Sequence, residues 1–313
     1  VGFVHTGKDS DQPTAFNMKK EKNIVIGMAA DNKYAVLGAV LLKSIELNHC
    51  KNDHQVDVYF IANSLTHSRR RMLLDSVDPN KISIKFIEPF PQHLAQFNQI
   101  DNAKKLTAYH RLLLPELISP DVPKLVYLDC DTIVRDSLLP LWNIELEAQN
   151  IVAATRDLNA WTVGCDWGGG IPNWKQLGMN KDAPYFNSGV LLVDLEKWRR
   201  ENITKKVIKA TIDNREHIKW LDQYGLNVVL HHNWQELAHC WNSYPAKATE
   251  ETKIIHFVSR KPNMIDYEGP FQDNFFELLD KTAWCGRRPK KLSFLKVFPT
   301  KISYWLRNRL SPW

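Results

Sequence analysis

The chain has 313 residues, 44% of them hydrophobic and 24% charged, which suits a globular protein of one large α/β domain or two small ones. No apolar run approaches the roughly 18 residues of a membrane-spanning helix. The five cysteines include no Cys-x-x-Cys pair, which argues against a zinc site or a disulfide framework and for a reducing cytosol.

Residues 1–22 are polar, lack the apolar stretch of a signal peptide and read as a flexible leader. Asn23–Ala30 is an apolar, β-branched run that predicts a buried strand. Tyr34–Asn48 follows with Leu37, Leu41 and Ile45 at helical spacing. Val56–Ala62 is a second predicted strand, Ser68–Val77 a helix and Ile82–Ile87 a third strand. Thr107–Ile118 reads as a helix, against which Pro115 counts in the last turn. Lys124–Leu128 is a fourth strand that runs straight into Asp129 and Asp131, and Ile151–Thr155 is a fifth. Residues 157–184 form a long irregular loop with Trp161, Trp167 and Trp174 around Gly168-Gly169-Gly170. Loops of that length are usually lids or binding surfaces, and these rings suit either sugar stacking or core packing. Tyr185–Leu195 resumes strand-like order, Glu196–Ile212 and Lys219–Leu230 look helical, and Lys253–Val258 is a last strand carrying His256.

Strands alternating with helices predict an α/β fold, a mostly parallel sheet covered on both faces. Ligands in such open sheets bind at the carboxyl ends of the strands. Asp31 and Asp129 both fall just past strand ends, so two acidic positions are expected at one sheet edge.

Asp129-Cys130-Asp131 delivers two carboxylates beyond an apolar strand, oxygen ligands suited to Mg²⁺ or Mn²⁺. An ordinary turn is the other reading. His256 is a second candidate ligand, or else a core histidine; imidazole beside two carboxylates favours Mn²⁺. Lys261 offers a point charge for a diphosphate. Arg111 offers a forked contact to phosphate or ribose, or else a solvated helix face.

Seven blocks in order resemble glycosyltransferase family 8, which includes bacterial lipooligosaccharide and lipopolysaccharide galactosyl- and glucosyltransferases and glycogenin. They span 24–45, 108–118, 124–142, 185–199, 221–227, 256–262 and 278–284. The resemblance implies a GT-A fold, a Rossmann-like mostly parallel sheet flanked by helices over residues 23–286. It implies retaining transfer of a hexose from UDP-galactose or UDP-glucose to a saccharide acceptor, a lipooligosaccharide, lipopolysaccharide or other surface glycan, with Mn²⁺ (or Mg²⁺). By position, Asp129, Asp131 and His256 would be metal ligands. Ala30, Asp31 and Tyr34 would hold the uridine, with Tyr34 on the uracil. Arg111 would bind the donor ribose or phosphate, Cys130 would contribute backbone near the ribose, and Lys261 would meet the diphosphate. Asn187, Asp157, Asp222 and Gln223 would line the donor sugar, with Gln223, Asp222 and Asp157 as candidates for the catalytic role. Two departures stand out. Lys33 replaces an expected asparagine, and the His256–Lys261 segment is one residue short, with Ser259 where glycine is expected.

The net charge of +6 is placed unevenly. Residues 287–313 carry eight basic side chains and no acidic one, so the rest of the chain is near neutral. Ile302, Trp305, Leu306 and Leu310 fall at helical spacing there, which predicts a basic amphipathic tail on an anionic membrane surface. The expected protein is cytoplasmic and peripheral on the inner face of the membrane, with no nucleic-acid partner. The competing reading is a non-catalytic sugar- or lipid-binding protein that retains the fold.

Overall fold

The computed structural model describes residues 23–50, 54–97, 100 and 103–289. The expected leader and all of the tail beyond residue 289 lie outside the described residues. The elements run β1 (Asn23–Ala30), α1 (Ala35–Asn48), β2 (Gln55–Ala62), α2 (His67–Leu74), β3 (Ile82–Ile87) and α3 (Pro91–Ala95). A 3₁₀ helix (Ala103–Leu113) leads into α4 (Leu114–Leu117), β4 (Lys124–Leu128), β5 (Thr132–Val134), α5 (Leu139–Trp142) and β6 (Val152–Arg156). Then come β7 (Phe186–Asp194), α6 (Leu195–Arg200), α7 (Ile203–Asp213), α8 (Leu221–Leu230), β8 (Trp234–Glu236), β9 (Ile254–His256) and α9 (Gln272–Leu279).

Seven strands form one sheet in the order β3-β2-β1-β4-β7-β6-β8. β3, β2, β1 and β4 are parallel, β7 runs antiparallel to both β4 and β6, and β8 is parallel to β6. The sheet is mostly parallel, as the alternating pattern predicts. Alternation along β1 fills both faces: Ile24, Ile26 and Met28 join the core under α1 and α9, while Ala29 joins the core on the other face. β4 divides likewise, Val126 and Leu128 to one side, Leu125 and Tyr127 to the other.

Two local expectations are corrected. The predicted helix 107–118 is mostly the 3₁₀ turn system ending at Leu113, with Pro115 in the first turn of α4, where its missing N–H costs nothing. The predicted helix 196–212 is two helices, broken at Asn202, whose φ of 53° is left-handed. The 157–184 segment is irregular, as expected, and packs Ala160, Val163, Ile171 and Met179 against Tyr185 and against Tyr224 of α8. Trp174 packs against that cluster, whereas Trp161 and Trp167 are exposed.

Candidate active site

Two pairings assemble the site. The β4 strand ends at Leu128, opposite Val190 of antiparallel β7, so Asp129 meets the start of that strand. The Asp129 amide donates to the Gly189 carbonyl at 2.8 Å. Immediately after Asp131 the chain enters β5, where Thr132 pairs with His256 of β9. The Phe257 amide donates to the Asp131 carbonyl at 3.0 Å. His256 therefore reaches the two carboxylates through a two-stranded sheet far from them in sequence.

One ligand atom from each of Asp129, Asp131 and His256 lies within 4.8 Å of the others. His256 Nε2 stands 3.3 Å from Asp131 Oδ1 and 3.8 Å from Asp129 Oδ2. Two carboxylate oxygens and one imidazole nitrogen fit Mn²⁺, and less well Mg²⁺. Lys261 Nζ is 2.5 Å from Asp131 Oδ2 and also donates to the Phe257 carbonyl. The short segment after His256 thus still brings its lysine to the cluster. Burial pushes the Asp131 carboxyl up, but Lys261 and then His256 outweigh it and hold it well below the usual carboxylate range.

Arg111 is buried, not on a solvated helix face. Its guanidinium contacts Asp129 Oδ1 at 2.9 Å, Asp222 Oδ2 at 2.9 Å and the Ser188 carbonyl, with its carbon 4.5 Å from the centre of the Tyr127 ring. Burial alone would lower its pKa; Asp129 and Asp222 more than reverse that. Tyr127 Oη donates to the same Asp129 oxygen at 2.9 Å.

These groups line a cavity of about 390 Å³. Asp31, Tyr34, Cys130, Asp157, Asn187, Asp222 and Gln223 share it with Arg111 and the acidic cluster, as does Ser259. Ala30 does not line it; the neighbouring Ala29 does, and Ala30 is fully buried. Asp31 Oδ1 accepts the Lys33 and Tyr34 amides, both at 2.9 Å, which turns the chain into α1 and seats Tyr34 at the cavity. Burial, then Asp131 and Asp129, push the Tyr34 phenol up to about 12. Burial likewise raises the Cys130 thiol, which donates to the Ala29 carbonyl.

On the other side of the Arg111 guanidinium from Asp129, Leu221 opens α8 at a left-handed φ of 34°. Such strain in a side-chain-bearing residue concentrates at functional sites. It is followed by Asp222 and Gln223. Burial pushes the Asp222 carboxyl up to about 6, against the pull of Arg111. The Gln223 amide is held at both ends, donating to Asp157 Oδ2 at 2.9 Å and accepting the Ser188 amide at 3.1 Å. Asp157 accepts five hydrogen bonds: Asn159 and Ala160 amides and Tyr244 Oη at one oxygen, Asn187 and Gln223 at the other.

The model of glycosyl transferase family 8 matches residues 25–272. The chain belongs to that family. General stress protein A of Bacillus subtilis (strain 168) is 27% identical over 293 residues, 85% of this chain and 96% of its own length. Glycosyltransferase GlyA of Streptococcus pneumoniae serotype 4 (strain ATCC BAA-334 / TIGR4) is 26% identical over 265 residues, 78% of this chain but 33% of GlyA. Other curated relatives are also longer, the chain spanning 51% to 64% of several of them. Among solved structures, the galactosyltransferase LgtC, in complex with donor and acceptor sugar analogs, matches 83% of this chain and 96% of its own. The identity is 27% and the TM-score 0.71. This family 8 glycosyltransferase therefore has the GT-A-like arrangement of a mostly parallel sheet flanked by helices.

Sequence reading missed several residues that build the glycosyltransferase's cavity. Tyr127, Ser188, Gly189, Trp220 and Tyr244 line it, and Asn242 lies behind it, hydrogen-bonded to His256. Tyr127 and Gly189 flank recognisable motifs, which is the signal that marks them. Asn242 and Tyr244 had no periodic signal to mark them.

Proposed function

We propose that the chain transfers a hexose, galactose or glucose, from a UDP-sugar to a saccharide acceptor with retention, using Mn²⁺ held by Asp129, Asp131 and His256. The observation that carries this reading is one cavity holding that cluster, Lys261 beside it, and the Asp222–Gln223 helix start across Arg111 from it. The similar LgtC is a galactosyltransferase seen with both donor and acceptor sugar analogs, which supports the choice of hexose and of two sugar subsites.

A divalent cation bound there supplies charge neutralisation for a departing diphosphate. Lys261 adds a fixed positive charge in a water-poor setting, where it counts for more than in bulk solvent. Asp31 and Tyr34 suit the uridine, with the Tyr34 ring as a stacking face. Arg111 has committed its donors to Asp129 and to the Ser188 and Ala108 carbonyls and is ion-paired with Asp222, so its role is to hold those groups in place around the donor.

Retention needs either a covalent intermediate or attack from the face the leaving group departs. Asp157 has its lone pairs saturated and acts as an anchor, not as an attacking group. Gln223 is a neutral amide and a poor nucleophile, but its dipole is fixed at both ends. It suits stabilisation of positive charge growing at the anomeric carbon. Same-face attack by the acceptor follows from this arrangement. Asp222, raised in pKa and buried, is the remaining carboxyl near the reaction.

A donor screen with Mn²⁺, reading UDP release, tests the reading. Galactose or glucose donors are expected to turn over, and Asp131→Ala to lower the rate about a hundredfold or more. Unchanged turnover in Asp131→Ala would sink the metal assignment. Donor binding without any UDP release would favour a sugar-binding protein that keeps the fold.

A further inference from the structure

The hydrogen bonds behind the acidic cluster have a direction. Asp157 Oδ2 accepts from Asn187 Nδ2 at 2.9 Å, so the Asn187 amide nitrogen faces Asp157. Asn187 Oδ1 then faces away and accepts the Gly189 amide at 2.9 Å. The same oxygen accepts from Asn242 Nδ2 at 2.9 Å. Flipping the Asn242 amide would set two carbonyl oxygens against each other. Asn242 Oδ1 therefore points to His256 Nδ1, 3.0 Å away, and an amide oxygen can only accept. Nδ1 of His256 must therefore carry a proton, and in the neutral ring this leaves the Nε2 lone pair for the side of Asp129 and Asp131.

The backbone holds this register as firmly as the side chains do. The Ser243 amide donates to the Ile254 carbonyl at 3.0 Å, and the His256 amide to the Ser243 carbonyl at 2.8 Å. Asn242 is 1% exposed, so its amide has no water to turn toward.

We propose that Asn242 is a positioning residue: it fixes His256 in the Nδ1–H tautomer and, through Asn187 and Asp157, ties the cation cluster to Gln223. The second half rests on the reading of that cluster as a Mn²⁺ site. Groups that hold a metal-binding imidazole in one tautomer typically change metal affinity 10- to 100-fold when removed. Asn242 also links two ends of the cavity by bonds that all run one way: His256 to Asn242, Asn242 to Asn187, Asn187 to Asp157, with Gln223 donating to the same carboxylate.

The test uses the full chain, Asn242→Leu and Asn242→Asp. Imidazole nitrogen NMR of the metal-free proteins reports the His256 tautomer, with His256→Gln used to assign its signals. Electron paramagnetic resonance of free Mn²⁺, with UDP present, reports affinity. At a pH where the ring is neutral, the wild type is expected to show Nδ1–H and an unprotonated Nε2. Asn242→Leu should lose that preference and bind Mn²⁺ about 10- to 100-fold more weakly. Asn242→Asp keeps an acceptor for Nδ1–H but gives up the donor to Asn187. Its tautomer and Mn²⁺ affinity should stay close to wild type while kcat for UDP release falls. An Nε2–H tautomer in the wild type overturns the proposal whether or not Asn242→Leu folds. So does a folded Asn242→Leu with unchanged tautomer and affinity. A wild type that binds no Mn²⁺ but shows Nδ1–H defeats the cation reading and leaves the tautomer assignment standing.

Discussion

A Cβ built on Gly189 would stand 2.2 Å from His256 Cε1 and 2.9 Å from Asp129 Oδ2. Real side chains do not approach that closely, so His256 and Asp129 meet because this position has none. Gly189→Ala must push the imidazole or the carboxylate away. Its Mn²⁺ affinity is expected to fall about tenfold or more with the sheet intact, read by Mn²⁺ titration beside circular dichroism. Wild-type affinity in that variant would remove the steric account. The residue scale is also where the sequence was most uneven as a guide. Asp129 and Asp131 were visible because an apolar strand ends on them. His256 had no neighbour in sequence to mark it, and a core histidine was the competing reading until the family resemblance favoured a ligand. Arg111 could be read two ways until tertiary packing buried it between Asp129 and Asp222. Asn242 was silent, since a single buried amide in a short turn leaves no pattern.

The helix that presents Asp222 and Gln223 owes its position to a close crossing. A Cβ on Gly225 of α8 would lie 2.4 Å from Thr211 Oγ1 and 3.0 Å from the Val207 Cγ1 of α7. Gly225→Ala should cost about 1–3 kcal/mol through overpacking. For a domain of this size that is a fall in Tm of roughly 2–4 °C per kcal/mol. Thr211→Ala removes the nearest offending atom and also the Thr211 hydroxyl bond to the Val207 carbonyl. The double variant should nonetheless be more stable than the sum of the two single changes predicts, a coupling read from thermal melts of all four proteins. Strict additivity would mean that the two helices have room to spare. At this scale seven strands followed from apolar, β-branched runs and α1 from helical spacing, while β5 and β8, three residues each, are too short to leave such a signal. The 3₁₀ segment before α4 and the break at Asn202 left none either, because local backbone geometry and not periodicity decides them.

Across the whole molecule, His49 is a buried group whose charge state opposes folding. Burial, then neighbouring His54, lower its pKa from 6.5 to about 4, and its Nδ1 accepts the Leu138 amide at 3.2 Å. Above pH 6.5 the ring is neutral whether the chain is folded or not. As pH falls below 6.5 the unfolded chain takes up the proton first, so stability is lost down to about pH 4 and the loss then levels off. His49→Asn keeps an acceptor without titrating. Its Tm should decline less steeply than wild type between those pH values, and identical slopes would exclude His49 as the cause. The basic tail was predicted as a membrane anchor, and beyond residue 289 it lies outside the described residues. Within them, Arg288 is paired with Asp280 at 2.6 Å and rests over Phe276. Antiparallel β7 joins β4 with partners 62 to 70 residues apart in the chain, and that seam carries Asp129 against Gly189. Distant pairings of this kind are expected to close late, since the loop-closure entropy must be met before their contacts form. A bound donor and cation should then have little to grip during refolding and much to hold afterwards. Their stabilisation is expected to appear as slower escape from the native state, not as a faster route into it.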